Sequence, residues 1–201
     1  MLEAIDLECG RGGRTLFRGL SFTLGAGEAL RIAGANGSGK TSLLRILCGL
    51  AAPAAGEVRW KGEPARALRE EYSAQLVYLG HAPAVKDELT AAENLSIACR
   101  MAGNARSRDE VLAALRALAV PEASPVKTLS QGQRRRAALA RLALSQQVPL
   151  WLLDEPLAAL DALAARLVED MVAAHLGRGG LVVYTTHQDA RIPGKVVSLD
   201  A

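Results

Sequence analysis

Hydrophobic and polar residues alternate in the N-terminal part of the chain, as they do in half-exposed β-strands. The alternation covers Leu2–Cys9 and Thr15–Leu24, with a turn at Gly10–Arg14 between them. Glu57–Trp60, followed by Lys61-Gly62, indicates a further short strand and a tight turn. We therefore expect mostly short strands in this region, paired in an antiparallel manner.

Later in the chain the apolar runs are short and continuous rather than alternating. Gln75–Leu79, Leu150–Leu153 and Leu181–Tyr184 are such runs, and Glu28–Ala33 and Lys195–Leu199 complete the predicted strands. Continuous apolar runs are typical of parallel strands that are buried on both faces. Because helical patterns separate these runs, the chain is predicted to be an α/β domain with a mostly parallel sheet.

Helices are predicted where capping residues precede apolar positions at helical spacing. Thr90–Glu93 and Ser107–Glu110 match the capping box, in which two side chains satisfy free backbone N–H groups. The second box opens a helix whose predicted apolar face contains Val111, Leu112, Leu115, Leu118 and Ala119. We interpret residues 90–126 as a helical insert that stands partly apart from the sheet.

Two more helices are predicted in the C-terminal part of the chain. One runs from Leu129 to about Ser145. The other is closed by Gly177 and Gly179-Gly180 and is predicted to bury Leu160, Leu163, Leu167 and Met171.

Composition places the chain among ordinary globular proteins. It has 201 residues, 50% hydrophobic and 22% charged, and its net charge of +3 is too small by itself to indicate a nucleic-acid partner. No apolar run reaches the ~18 residues that a membrane span needs, and the N-terminus lacks the pattern of a signal peptide. Cys9, Cys48 and Cys99 are odd in number and widely spaced, so we expect reduced thiols in the cytosol.

The segment between the predicted strand Glu28–Ala33 and the predicted helix Ser42–Leu47 matches G-x-x-x-x-G-K-[ST], a loop that holds nucleotide phosphates. Its glycines let backbone N–H groups approach an anion at the positive N-terminus of the helix. Lys40 is predicted to reach the β- and γ-phosphates, and Thr41 to ligate Mg²⁺. The predicted nucleotide contacts are Gly34, Ala35, Asn36, Gly37, Ser38, Gly39, Lys40, Thr41 and Ser42.

Asp154 and Glu155 directly follow the apolar run Leu150–Leu153. Ligands of open α/β sheets lie beyond the carboxyl ends of the strands, so Asp154 is predicted to hold Mg²⁺, directly or through water. Glu155 is predicted to orient and deprotonate the water that attacks the γ-phosphate. The alternative interpretation is a solvated acidic turn before Pro156.

Leu129–Gln133 reads LSQGQ and opens a predicted helix. Together with the phosphate loop, Asp154-Glu155 and His187, this segment resembles the ATP-binding-cassette (ABC) ATPases, whose signature is LSGGQ. The resemblance extends from about Leu2 to His187, and Gln131 replaces a signature glycine. A serine hydroxyl and a backbone N–H at a helix N-terminus can form a second phosphate site, and an ordinary Ser N-cap is the alternative.

The resemblance implies a head-to-tail homodimer of the ATPase domain. The signature of one subunit would close over the γ-phosphate that Lys40 of the other subunit holds. Ser130, Gly132 and Gln133 are the signature residues expected to contact the nucleotide.

Two further residues match the family at loops near the ends of predicted elements. Asp161 looks like part of the D-loop, which links the two ATP sites across the dimer, and it can also be read as a helix N-cap. His187 resembles the switch histidine, which contacts the γ-phosphate and holds Glu155 and the attacking water in place.

The chain also departs from the family pattern at the edges of the site. His81 occupies the place of an expected glutamine, and a role in coupling to a membrane partner is expected of it rather than Mg²⁺ binding. No aromatic residue is present between Cys9 and Arg14 to stack on adenine, and Arg11 or Arg14 could stack through its guanidinium plane instead. At least part of the run Arg134–Arg136 is expected to be a solvated helix face.

Four segments, Tyr78–His81, Leu89–Leu95, Gln133–Arg136 and Thr185–Gln188, together resemble one branch of the family, the ATP-binding subunits of the haem exporter of cytochrome c maturation. This implies a peripheral subunit on the cytoplasmic face of the inner (plasma) membrane, bound to membrane-spanning subunits of the CcmB and CcmC type. ATP hydrolysis would drive haem export or release of the haem chaperone. Another small ABC exporter and a soluble ABC ATPase remain alternatives, whereas a P-loop kinase leaves Leu129–Gln133 unexplained.

The predicted fold is therefore α/β, a P-loop NTPase of ABC-ATPase type. It has a mostly parallel sheet core, an N-terminal antiparallel β region and a helical subdomain. Within one domain, residues of about 1–89 and 127–201 are expected to form the nucleotide-binding core, and residues of about 90–126 the helical subdomain.

Overall fold

The structure is a computed structural model that describes residues 1–199. Its strands are β1 (Leu2–Arg11), β2 (Arg14–Leu24), β3 (Ala29–Ala33), β4 (Ala55–Trp60), β5 (Glu63–Pro64), β6 (Leu76–Leu79), β7 (Leu150–Leu153), β8 (Leu181–Thr185) and β9 (Lys195–Ser198). Its α-helices are α1 (Lys40–Leu47), α2 (Ala65–Leu68), α3 (Glu70–Ala74), α4 (Ala91–Met101), α5 (Arg108–Ala117), α6 (Gln131–Leu144) and α7 (Ala162–Gly177). A 3₁₀ turn, Val126–Thr128, precedes α6. Within the described residues, no helix is both long and apolar enough to cross a membrane.

The N-terminal strands form an antiparallel sheet in the order β2-β1-β4-β5, as the alternating pattern predicts. β1 and β2 have 10 and 11 residues and extend the predicted strands Leu2–Cys9 and Thr15–Leu24 slightly into the turn between them. A bulge interrupts β1 where Asp6 has φ = 50°. Gly56 faces this bulge with φ = 80°, and a Cβ there would collide with the carbonyl oxygens of Ile5 and Asp6. The close approach of β4 to β1 therefore requires glycine at this position.

The continuous apolar runs form a parallel sheet in the order β6-β7-β8-β3-β9. Every residue of β7 and β8 is buried, which confirms that these are strands covered on both faces. On one face Leu150 and Leu152 pack in a cluster with α1, and on the other Trp151 and Leu153 pack in a cluster with α6 and α7. Because the strands are parallel, the carboxyl ends of β3, β7 and β8 meet at one edge of the sheet.

The two predicted capping boxes are both present, at the starts of α4 and α5. Val111, Ala114 and Leu115 form the buried face of α5, and Leu118 is buried just after the helix. Ala119 was expected on this face, but it is exposed because the chain turns there with φ = 50°. The buried residues of α4 and α5 belong to the same apolar cluster as α6 and the sheet. The proposed boundaries of a helical subdomain stay a prediction.

The buried face of α7 agrees with the predicted one only in part, because Leu160, Leu167 and Met171 pack half-buried against the core. Leu163 was expected to be buried but is 71% exposed. The buried positions are Ala164, Val168, Val172 and His175. The imidazole of His175 stacks on Trp151 of β7, with ring centroids 3.9 Å apart and an angle of 4° between the planes. The contact with Trp151 and the sheet therefore buries the face of α7 that carries His175, which is adjacent to the predicted leucine face.

Two short helices, α2 and α3, were not predicted from the sequence. Their four and five residues are too few for a helical period to be visible. Tyr72 of α3 is buried, and its hydroxyl donates a hydrogen bond of 2.6 Å to the carbonyl oxygen of Leu47 at the end of α1. Packing against α1 therefore holds this segment in place.

Candidate functional site

The glycine-rich loop between β3 and α1 has the backbone conformation that its sequence requires. Gly37 and Gly39 have φ values of 83° and 108°, in the left-handed region that favours glycine. Gly39 is the N-cap of α1 and offers no side-chain cap, so the first N–H groups of the helix remain available to an anion. Ser38 Oγ is buried and has no hydrogen-bond partner among the described residues. The loop therefore leaves donors unpaired at the start of α1.

The side chain of Lys40 folds back across the loop. Its Nζ donates hydrogen bonds of 2.8 Å to the carbonyl oxygen of Gly34 and of 3.0 Å to that of Ala35. The ammonium group thus lies at the mouth of the loop, where it would meet a bound phosphate.

Asp154 follows β7 and is held by hydroxyl groups from two other elements. Thr41 Oγ1 donates to its Oδ2 at 2.8 Å, and Thr185 Oγ1 donates to its Oδ1 at 2.8 Å. Asp154 is only 2% exposed. Hydroxyl and carboxylate oxygens are hard donors of the kind that Mg²⁺ prefers, so Thr41 and Asp154 fit such an ion. Over residues 1–199, no group of three or more His, Cys, Asp or Glu side chains could hold a metal, so other ligands would have to complete its shell.

Glu155 lies beside Asp154 with φ = 51°, and its two carboxylate oxygens have different surroundings. Oε2 accepts a hydrogen bond of 3.2 Å from the backbone N–H of His187. Oε1 is buried without a hydrogen-bond partner and lies 3.6 Å from Nε2 of His187. The backbone N–H of Glu155 donates to Thr185 Oγ1 at 2.9 Å. One oxygen is therefore fixed, and the other is free to accept a proton or a hydrogen bond from a bound water.

These groups share a cleft of about 400 Å³ at the carboxyl edge of the parallel sheet. The cleft is lined by Arg11, Leu16, Asn36, Gly37, Gly39, Lys40, Thr41, Ser42, His81, Asp154, Glu155 and His187. Both predicted carboxylates and two of the three histidines thus meet the phosphate loop. No role was predicted for Leu16 or for Thr185, which entered only as part of the segment Thr185–Gln188, because a leucine and a threonine in a strand carry no local functional signal. Of the two arginines considered for base stacking, Arg11 lines the cleft and Arg14 does not.

The signature segment and Asp161 lie outside this cleft and cap helices. Ser130 is the N-cap of α6: its Oγ accepts from the backbone N–H of Gln133 at 3.2 Å, and Gln133 Oε1 accepts from the N–H of Ser130 at 2.9 Å. A Cβ on Gly132 would lie 3.0 Å from the carbonyl oxygen of Ala159. Asp161 caps α7 by accepting from the N–H of Ala164 at 2.8 Å. Within one chain these residues are therefore helix caps, and their predicted nucleotide contacts stay predictions.

Comparisons with known proteins agree with this geometry. The sequence pattern of the ABC transporter family matches residues 17–158. Two relatives named cytochrome c biogenesis ATP-binding export protein CcmA resemble nearly the whole chain. The protein from Aromatoleum aromaticum is 51% identical, with 99% of this chain and 95% of the relative covered. The protein from Nitrosospira multiformis is 50% identical, with 98% and 96% covered.

Solved structures show the same fold. An ABC transporter ATP-binding protein from Pyrococcus furiosus superposes with a TM-score of 0.82 at 23% identity, covering 98% of this chain and 96% of its own. An ATP-binding cassette described as a dimer in a post-hydrolysis state, bound to ADP and Pi, has a TM-score of 0.79 at 25% identity and covers 94% and 88%. The predicted ABC-ATPase fold is thereby confirmed. The chain belongs to the ABC transporter family of ATP-hydrolysing cassettes, within the branch of the cytochrome c biogenesis ATP-binding export proteins.

Proposed function

We propose that this ATPase binds ATP with Mg²⁺ in the cleft and uses its hydrolysis to drive haem export, or release of a haem chaperone, in cytochrome c biogenesis. One observation carries the chemical part of the proposal. Lys40, Thr41, Asp154, Glu155 and His187 come from distant parts of the chain and converge on a single cleft. The names of the relatives support the biological part.

Phosphate binding is assigned to the loop and to Lys40. The N–H groups at the start of α1 would face the phosphate oxygens, where the helix dipole favours negative charge. The Lys40 ammonium, which contacts two loop carbonyls, would turn to the β- and γ-phosphates, because charged acceptors form stronger hydrogen bonds than neutral carbonyls.

The proposed metal ligands are Thr41 and Asp154. When bound, Mg²⁺ would neutralise charge on the β- and γ-phosphates, and phosphate and water oxygens would complete its coordination. Thr185 would keep the Asp154 carboxylate oriented, since its hydroxyl binds the oxygen that Thr41 does not. Removing this hydroxyl should therefore disturb the ligand as well as the fold.

Hydrolysis is assigned to Glu155 and His187. The free Oε1 of Glu155 would accept a proton from a water whose oxygen attacks the γ-phosphorus. The bond between this phosphorus and the bridging oxygen to the β-phosphate would break, leaving ADP and phosphate. The backbone N–H of His187 holds the other oxygen of Glu155, and its half-exposed imidazole is proposed to contact the γ-phosphate.

A second copy of the chain is proposed to complete the site. Ser130 uses acceptor capacity of its hydroxyl in the α6 cap but keeps an O–H donor for a phosphate of the partner's ATP. Gly132 and Gln133 would contact the same nucleotide, and Asp161 would link the two sites. The dimeric state of similar solved cassettes supports this arrangement.

The membrane partners proposed for this subunit are spanning proteins of the CcmB and CcmC type. The cassette would lie against the cytoplasmic face of the inner membrane as a peripheral subunit. His81 belongs both to the cleft and to the exposed loop after β6, so it is the residue proposed to report partner contacts to the nucleotide. Co-purification with membrane subunits would support this assignment, whereas co-purification with ribosomes or DNA would contradict it.

The test of the chemistry is Glu155→Gln. This variant keeps the shape of the side chain and removes the base, so ATP should bind with near-normal affinity while turnover falls on the order of 10²-fold or more. ATP should also trap the variant as a dimer, which size-exclusion chromatography with light scattering would detect. Glu71→Gln is the matched control, because Glu71 is exposed and outside the cleft.

Wild-type turnover in Glu155→Gln would show that another group is the base. The biological assignment has a separate test: in cells that lack the endogenous subunit, the wild type should restore c-type cytochromes and Glu155→Gln should not. Failure of the active wild type to restore them would point to another small exporter.

A further inference from the structure

Arg135 lies in the second turn of α6 and is only 5% exposed. It stands in the run Arg134–Arg136, part of which was expected to be solvated. A buried arginine is unusual, because removing a cation from water costs several kcal/mol unless its donors are satisfied. The groups that accept hydrogen bonds from this guanidinium therefore indicate the role of the residue.

The two terminal nitrogens of Arg135 donate to four backbone carbonyl oxygens from two strand-end loops, whereas its Nε is buried without a partner. Nη1 donates to Gly80 at 2.9 Å and to His81 at 3.1 Å, both in the loop that follows β6. Nη2 donates to Asp154 and to Glu155, each at 2.7 Å, in the turn that follows β7. Each terminal nitrogen therefore holds one loop, and the planar group bridges them.

Only a guanidinium can make this connection. Its terminal nitrogens diverge in a fixed plane, whereas the single ammonium of lysine is a point donor that cannot span two loops. Burial lowers the pKa of Arg135, and the nearby carboxylates of Asp154 and Glu155 counteract this effect. Simple packing would be served at least as well by an apolar side chain, because buried ionic groups are costly.

The same helix also holds the far end of the loop after β6. Arg134 forms an ion pair of 3.1 Å with Asp87 and donates to the carbonyl oxygen of Lys127 at 2.9 Å. Asn94 of α4 binds the backbone of Lys86 through both its oxygen and its nitrogen. Because the loop is attached at both ends, a displacement of its exposed part would be transmitted to Arg135.

We propose that Arg135 is a positioning residue that couples the loop after β6, which contains His81, to the peptide carrying Glu155. Movement of this loop would then change where the Glu155 carboxylate lies. This inference rests on the proposed function, because it assumes that Glu155 acts on the attacking water. The conformation of Glu155 supports it: a non-glycine residue with φ = 51° persists only where its surroundings hold it. The carbonyl of that same residue is bound by Arg135.

The test compares Arg135→Gln and Arg135→Lys with Arg136→Gln in the full chain. Arg136 is the adjacent half-buried arginine and lies outside the cleft. Both Arg135 variants should lower kcat roughly 10- to 100-fold, the loss expected from a misplaced catalytic group, while KM for ATP changes less than about threefold. Arg136→Gln should keep wild-type kcat. Turnover is measured well below each variant's Tm, so that lost stability does not count as lost turnover.

Wild-type kcat in folded Arg135→Gln, or a higher KM at unchanged kcat, would overturn the proposal. Full activity in Arg135→Lys would also overturn it, because charge alone would then suffice without a bridge. If Arg135→Gln does not fold, the lysine variant decides. Glu155→Gln is measured beside them: normal turnover there refutes the role of Glu155, whereas its loss together with normal kcat in the Arg135 variants refutes only the coupling.

Discussion

Thr185, at the end of β8, connects the two carboxylate residues of the cleft through one hydroxyl. It is fully buried, and its Oγ1 donates to Asp154 Oδ1 at 2.8 Å while accepting from the backbone N–H of Glu155 at 2.9 Å. Thr185→Val keeps the shape of the side chain and removes both hydrogen bonds. We expect this substitution to reveal how strongly the site depends on that hydroxyl.

The magnitude follows from the two partners that are left behind. A buried neutral group without its partner costs ~1–3 kcal/mol, and a charged one more, so the free energy of unfolding should fall by roughly 3–5 kcal/mol. Asp154 keeps its bond from Thr41, which limits the loss. Thr185→Ser, the matched control, keeps the hydroxyl and loses one buried methyl group, which is worth about 1 kcal/mol. The two variants should therefore differ by roughly 2–4 kcal/mol.

Urea unfolding followed by circular dichroism measures this difference, with equal m-values required for the comparison. Turnover measured well below the Tm should fall in Thr185→Val and be largely kept in Thr185→Ser, because Asp154 and Glu155 lose their shared anchor only in the former. If the two variants unfold at the same urea concentration, the hydroxyl contributes no more stability than one buried methyl group, and the expected difference of roughly 2–4 kcal/mol is refuted.

Two further predictions concern stability away from the cleft. Burial lowers the pKa of His175, so the unfolded chain binds a proton that the folded chain does not; its contribution to stability is complete above the ordinary histidine pKa and declines as the pH falls below it. Urea unfolding at one pH above and one pH below the ordinary histidine pKa should show this loss of stability in the wild type. The loss should be smaller in His175→Phe, which keeps a ring against Trp151. An equal loss in both proteins would contradict the assignment to His175. Gly56→Ala should lower the free energy of unfolding by more than ~2 kcal/mol in thermal unfolding and more than Gly62→Ala does, because both sites have positive φ but only Gly56 meets other backbone atoms. Equal costs would show that the collision with β1 is relieved.

Features with a local physical cause could be predicted from the sequence. The capping boxes at Thr90 and Ser107 are pairs three residues apart, and a cap acts within one helical turn. Likewise, the phosphate loop needs only its own glycines between a strand and a helix. The unbroken apolar runs Leu150–Leu153 and Leu181–Tyr184 predicted β7 and most of β8, because a strand buried on both faces is largely apolar.

Features that depend on distant partners could not be predicted in this way. The packing of α7 is one example. Leu163 is an apolar residue but is exposed, whereas His175 is buried because it lies on the face that meets Trp151. The spacing of residues in the sequence does not show that Trp151 is the neighbour. Arg135 is the example from the site. Its burial could not be predicted within a run of three arginines, because the four carbonyl oxygens that it binds lie far away along the chain.

By itself, the sequence determined the succession of the longer strands and helices along the chain, the glycine-rich loop and the candidate carboxylates, because each depends on neighbouring residues. The tertiary structure decided which groups hold them: Thr185 joins Asp154 to Glu155, and Arg135 joins both to the loop of His81. The physical reason is the parallel sheet, which aligns the ends of strands that are far apart in the chain. Polar groups meeting at that buried edge must satisfy one another, and only their positions in space show which pairs do so.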